Sequence, residues 1–124
     1  MGSIMTHDEI VEAYTGAIEN SDPGAILELV APGADFWHNF DDRNRDIAAS
    51  LGEMQKMKES LDDIRFDIVE RFAVTGGIGV RLVLRGTLRA TGQAFASHQA
   101  KFFRIRDGKI TRIEEYVAPA RILP

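Results

Sequence analysis

A small set of side chains in this sequence has the chemistry to move protons or hold charge on a small molecule: Tyr14, His38, Asp41, Gln99, Lys101 and one of the adjacent glutamates Glu114 and Glu115. His38 leads, because an imidazole titrates near neutral pH and can take and give a proton in one turnover. It stands between Trp37 and Phe40, whose rings would lower its exposure. The other reading is a structural histidine bonded to a backbone carbonyl at a strand end. Asp41 follows in the same segment and can orient the imidazole as carboxylates do in catalytic pairs. It can equally be a turn or cap residue before the next helix. The Tyr14 hydroxyl can donate to negative charge developing on a substrate oxygen, or bond a neighbour as a core tyrosine. Lys101 lies in a strand, and a buried lysine is rare without a partner. It would pair with a glutamate, hold an anionic ligand group, or act as an electrophile.

Composition narrows the chemistry. The chain has 124 residues, one domain by size. Its 19 acidic and 15 basic residues give a net charge of −4, which argues against a nucleic-acid partner. Without cysteine there is no thiolate chemistry and no cysteine-ligated metal. His7, His38 and His98 are scattered, so no metal site is expected. Gly76, Gly77 and Gly79 lead into a strand pattern rather than a helix, so the dinucleotide fingerprint fails and no organic cofactor is expected. No apolar run approaches the ~20 residues that span a bilayer. No membrane partner is expected, and a cytoplasmic location is the default. Residues 1–4 read as a cloning remnant or a disordered start ahead of Met5.

The elements that must position these groups can be read from periodicity. Thr6 and Glu9 form a capping box, and Ile10, Ala13, Tyr14, Ala17 and Ile18 follow at helical spacing. Asp22-Pro23 starts a second helix with Ile26, Leu29 and Val30 on one face, stopped by Pro32-Gly33. Asp35 to Phe40 reads as a strand, Asp41 to Asn44 as a polar loop, and Ile47 to Leu61 as a third helix. From Ile64 the period changes to two. Val80, Leu82 and Leu84 share one face with Gln99, Lys101, Phe103 and Ile105, and that face is taken as the pocket side. Helices ahead of strands joined by short turns predict an α+β fold with a curved antiparallel sheet.

The hairpin at Asp107-Gly108 decides which glutamate faces inward. A three-residue Arg106-Asp107-Gly108 loop with a bulge points Glu115 in; a two-residue loop points Glu114 and Tyr116 in. The bulged form is the expectation, because it leaves Ile113 and Val117 on the pocket side. The opposite face carries Val69, Val83, Ala100 and Phe102 among several arginines. An apolar centre with an arginine rim predicts a homodimer through this outer face, with arginines meeting carboxylates of the partner chain.

Trp37-His38-Asn39-Phe40-Asp41 together with Gly108 to Tyr116 resembles the SnoaL-like branch of the nuclear transport factor 2-like superfamily. The resemblance implies one SnoaL-like domain over residues 5–124, a cone-shaped α+β barrel with three N-terminal helices packed on the sheet. The first forty residues are also similar to bacterial ketosteroid isomerase. There Tyr14 matches the oxyanion-hole tyrosine, His38 falls where that family has its general-base aspartate, and Lys101 where it has a protonated aspartate. The expectation is a cofactor-independent isomerase, cyclase or lyase acting next to the carbonyl of a small apolar or aromatic compound. His38, Tyr14 and Asp41 would be catalytic, with Trp37, Phe40, Gln99, Lys101, Phe103 and Glu115 binding substrate. The alternative is a non-catalytic small-ligand-binding protein of the same fold.

Overall fold

The computed structural model describes residues 4–123. The reading of residues 1–3 as a cloning remnant lies outside the described residues. Helix α1 (His7–Glu19) begins at the Thr6 capping box, whose two reciprocal hydrogen bonds are both made. Helix α2 (Pro23–Leu29) is capped by Asp22, whose carboxylate accepts from the Ala25 amide. The chain then becomes strand β1 (Val30–His38). The second helix is thus shorter than its apolar pattern suggested. Val30 already pairs with Ile110, and Gly33, at φ +74°, sits inside a register break rather than ending a helix.

The segment expected as a polar loop is half of a hairpin. Asp42 takes the left-handed conformation (φ +51°), its amide donates to the His38 carbonyl, and β2 (Arg43–Asp46) pairs back onto β1. Helix α3 (Ile47–Ser60) is capped by Asp46. Four long strands follow: β3 (Leu61–Val74), β4 (Gly77–Leu88), β5 (Ala94–Arg106) and β6 (Lys109–Val117). A two-residue strand β7 (Arg121–Ile122) pairs with the start of β5.

The sheet order is β2-β1-β6-β5-β4-β3. Every neighbour is antiparallel except β1 and β6, which run parallel. The sheet is therefore mixed, not purely antiparallel as the short turns suggested, because β1 reaches its partner across the whole later sheet. Its end strands β2 and β3 do not pair with each other, so it is not closed. One face carries the core: Ile10, Val11, Ile18 and Ile26 of the helices against Val80, Leu82, Phe103 and Ile113.

The β5–β6 hairpin settles the inward glutamate by a different device from the one expected. Asp107 and Gly108 both have positive φ, Arg106 pairs with Lys109, and the loop has two residues. The extra residue comes later. Ile105 opposes Ile110 while Arg104 opposes Arg112, so Thr111 is the bulge, its hydroxyl donating to the Arg104 carbonyl. Beyond it the faces are exchanged, and Glu115 lies opposite Lys101 on the inner side.

The outer face pairs its charges within the chain. Its arginines meet carboxylates of their own chain: Arg81 with Glu70, Arg85 with Asp67, Arg104 with Glu114, Arg112 with Asp35. A row of aromatics crosses the strands instead. Phe72, Phe102, Tyr116 and Trp37 follow edge to face, with centroids 6.0, 5.9 and 5.1 Å apart. Gly79 lies between Phe72 and Phe102 in the pairing, where a Cβ would come within 2.2 Å of the Phe72 ring.

Candidate functional site

The inner face encloses a cavity of about 210 Å³ between α1, α3 and the sheet. Ile18, Phe36, Leu51, Met54 and Met57 make most of its wall apolar. Tyr14, His38, Gln99, Lys101 and Glu115 also line it, so the structure brings together five of the residues singled out from sequence.

Its polar end is a buried line of charge. Lys101 (3% exposed) places Nζ 3.3 Å from Glu115 Oε2, and His38 places Nε2 3.5 Å from Glu115 Oε1. The Lys101 ammonium also lies over the rings of Phe66 (4.6 Å) and Tyr14 (5.6 Å). Burial on its own would push the Glu115 carboxyl up. The Lys101 ammonium and His38 outweigh it and hold the group below its ordinary value. Tyr14 goes the other way: burial first, and then the Glu115 charge, push its hydroxyl above the ordinary phenol range. It stays a neutral donor.

Arg45 fixes the imidazole. Its Nη1 is 3.2 Å from His38 Nδ1. A guanidinium only donates, so Nδ1 is the lone-pair nitrogen and the hydrogen sits on Nε2, facing Glu115. Arg45 is in turn bound by the Asp41 carboxylate and approached by Glu53 at 3.7 Å. The guanidinium holds the Asp41 carboxyl below its usual range. Asp41 therefore reaches His38 through Arg45 and not directly.

Three residues sit elsewhere than expected. Trp37 is on the outer face, its Nε1 donating to Asp42 Oδ1 at 2.8 Å, because a strand that turns His38 inward must turn its neighbour outward. Phe103 is fully buried beneath Tyr14, centroids 5.4 Å apart, and supports the cavity rather than lining it. Phe40 covers the His38 ring at 4.8 Å but is 68% exposed and belongs to a second cavity. Arg45 and Phe66 were not foreseen. Arg45 pairs opposite Phe36 in the β1–β2 hairpin, on the side His38 takes. Asp41-Asp42 followed by Arg43 and Arg45 was the available signal.

A family model for the SnoaL-like domain matches residues 11–113. The chain belongs to the SnoaL-like domain family. Among solved structures, the SnoaL-like chain is similar to IdmH, a candidate polyketide cyclase of Streptomyces antibioticus. There the TM-score is 0.81 at 20% identity, over 91% of this chain and 92% of that one. A candidate polyketide cyclase of Xanthomonas campestris pv. campestris has TM-score 0.74 at 28% identity, over 89% and 88% of the chains. A protein of Catenulispora acidiphila with a ketosteroid isomerase-like fold, in complex with trimethylamine, has TM-score 0.77 at 20% identity, over 90% and 86%. A search of curated proteins finds no match. Among the described residues of this SnoaL-like domain, no helix is long and apolar enough to cross a membrane.

Proposed function

We propose that this SnoaL-like protein is a cofactor-independent acid–base enzyme of isomerase, cyclase or lyase type, acting next to the carbonyl of a small uncharged compound. The observation that carries this reading is the buried Lys101–Glu115–His38 line at one end of an otherwise apolar cavity. A proton acceptor kept ionised in a low-dielectric site, beside a neutral phenol donor, is what enolisation requires.

Proton transfer is assigned to the His38–Glu115 pair rather than to His38 alone. The His38 Nδ1 lone pair already accepts from Arg45, so the free acceptor facing the cavity is the Glu115 carboxylate. Glu115 takes the proton from the carbon next to the carbonyl. The Nε2 hydrogen of His38 and the Lys101 ammonium steady the carboxylate on either side. Tyr14 donates to the carbonyl oxygen as it gains charge. The alternative of a non-catalytic ligand carrier would explain a lysine and a glutamate that neutralise each other. It leaves unexplained an open cavity with a histidine aimed at a carboxylate.

The test is turnover of enones and linear polyketide-like ketones by wild type, His38→Ala and Glu115→Gln. Each variant should lose at least about a hundredfold in kcat/KM. Full retention by either variant overturns the assignment of that residue.

The homodimer is also proposed through the outer sheet face. The aromatic row Phe72–Phe102–Tyr116–Trp37 supports it.

A further inference from the structure

Gln99 is 7% exposed, and its Oε1 is, among the described residues, the buried side-chain polar atom with no hydrogen-bond partner. A buried amide oxygen left unpaired is costly, and such atoms are rare in folded proteins. Its position suggests what the oxygen is kept for. Gln99 lines the cavity described above, and it also lines a second cavity of about 430 Å³. Leu84 is the other side chain common to both. The two cavities are thus successive stretches of one concave face, with Gln99 at the join.

The second cavity has a different character. Leu88, Phe95, Val117, Pro119 and Ile122 contribute to it, and none of its lining residues is ionisable. In the first cavity the buried charges are matched, Lys101 by Glu115, and Glu53 at the exposed wall faces Arg45 at 3.7 Å. An ionised ligand would find no buried, unmatched counter-charge in either stretch.

We infer that the ligand is a neutral, elongated compound that bridges both cavities and carries a hydroxyl part-way along, which donates to Gln99 Oε1. This rests on the reading that the cavity takes a small carbonyl compound, and it adds the shape and the hydrogen-bond donor. The carbonyl end lies toward Glu115, the hydroxyl meets Gln99, and the apolar remainder lies over Phe95 and Leu88. The terminal amide of glutamine turns easily about its last torsion, so the oxygen can swing to meet an incoming donor. Gln99 then acts as a specificity residue. A ligand of equal shape without the hydroxyl leaves the amide oxygen unpaired.

Calorimetry with 2-naphthol, 2-methoxynaphthalene and phenol tests this without requiring turnover. For wild type, 2-naphthol should bind about tenfold more tightly than 2-methoxynaphthalene, and should shift the Gln99 side-chain amide in a 15N spectrum. Gln99→Leu and Gln99→Met should each erase that preference. Leu88→Glu, which alters the second cavity and not the first, should weaken 2-naphthol while leaving phenol unchanged. A preference that survives in both Gln99 variants overturns the inference. So does failure of wild type to bind either naphthalene at millimolar concentration, or an Leu88→Glu variant that binds 2-naphthol normally. Because the readout is binding, a protein that shows the preference but turns over no ketone would refute the enzymatic reading and leave this one standing.

Discussion

Arg45 Nη1 stands 3.2 Å from His38 Nδ1, and this one contact sets the tautomer of the imidazole. With a donor pressed against Nδ1, the hydrogen must sit on Nε2, where it meets Glu115. Proton-coupled 15N spectra should show His38 as a single Nε2–H tautomer in the wild type. In Arg45→Met the Nδ1 lone pair is released, and a mixture of tautomers should appear. Any activity found should fall in step, while the fold as read by circular dichroism stays unchanged. A single unchanged tautomer in Arg45→Met would refute the role given to Arg45.

Lys101→Met removes one member of a buried ion pair and leaves the Glu115 carboxylate with His38 as its remaining partner. Loss of a single partner from a buried pair costs about 3–5 kcal/mol. The double change Lys101→Met with Glu115→Leu should regain most of it, because a well-packed apolar pair replaces a satisfied ionic one. Urea midpoints of the single and double variants measure both effects. A double variant no more stable than the single would mean that the pair is not what these residues contribute.

The pH dependence has a definite sign. The folded Glu115 carboxyl is held below its reference value of 4.5. Its contribution to stability is therefore fully present above that value and is lost as pH falls through the lower, folded one. Wild type should lose unfolding free energy more steeply than Glu115→Gln on the acid side of 4.5, with parallel curves near neutrality. For turnover, the acid limb of kcat/KM should lie below the ordinary carboxylate range. Parallel stability curves throughout, or an acid limb near neutral pH, would contradict this.

The aromatic row makes the proposed dimer testable at one position. Phe102→Glu places a charge between Phe72 and Tyr116. Sedimentation equilibrium at tens of micromolar should show a dimer for wild type and a monomer for the variant. A monomeric wild type, or a dimer indifferent to Phe102→Glu, removes this face from consideration.

What was legible in the sequence follows from how local each feature is. The alternation of Val80, Leu82 and Leu84 with Arg81, Val83 and Arg85, and the matching parity of Gln99, Lys101 and Phe103, identified the inner face because β4 and β5 pair without a bulge. The Thr6–Glu9 box fixed the start of α1, and so the inward face that carries Tyr14. Features set by distant pairing were not legible. Trp37 and His38 cannot both face inward on one strand, and which one does is decided by the parallel pairing of β1 with β6. Val69, expected to continue an alternation, falls at a register shift between Ile68 and Glu70. Phe103 shares a face with Lys101, yet parity carries no information on depth, and the ring lies under Tyr14 instead of in the cavity wall.

The bulge in β6 also bears on heredity. The pairing passes from Ile105 opposite Ile110 to Arg104 opposite Arg112, so Thr111 has no partner of its own. Loss of its codon would straighten the strand and still leave Glu115 across from Lys101. Loss of the Ile113 codon, taken up in the same way, would also keep Glu115 across from Lys101 but would set Arg112 opposite Phe103. The spare residue therefore leaves room for one in-frame deletion that keeps Glu115 opposite Lys101. Lineages that differ only in the length of this hairpin would be read correctly by aligning the residues that face Lys101, not by counting from the turn.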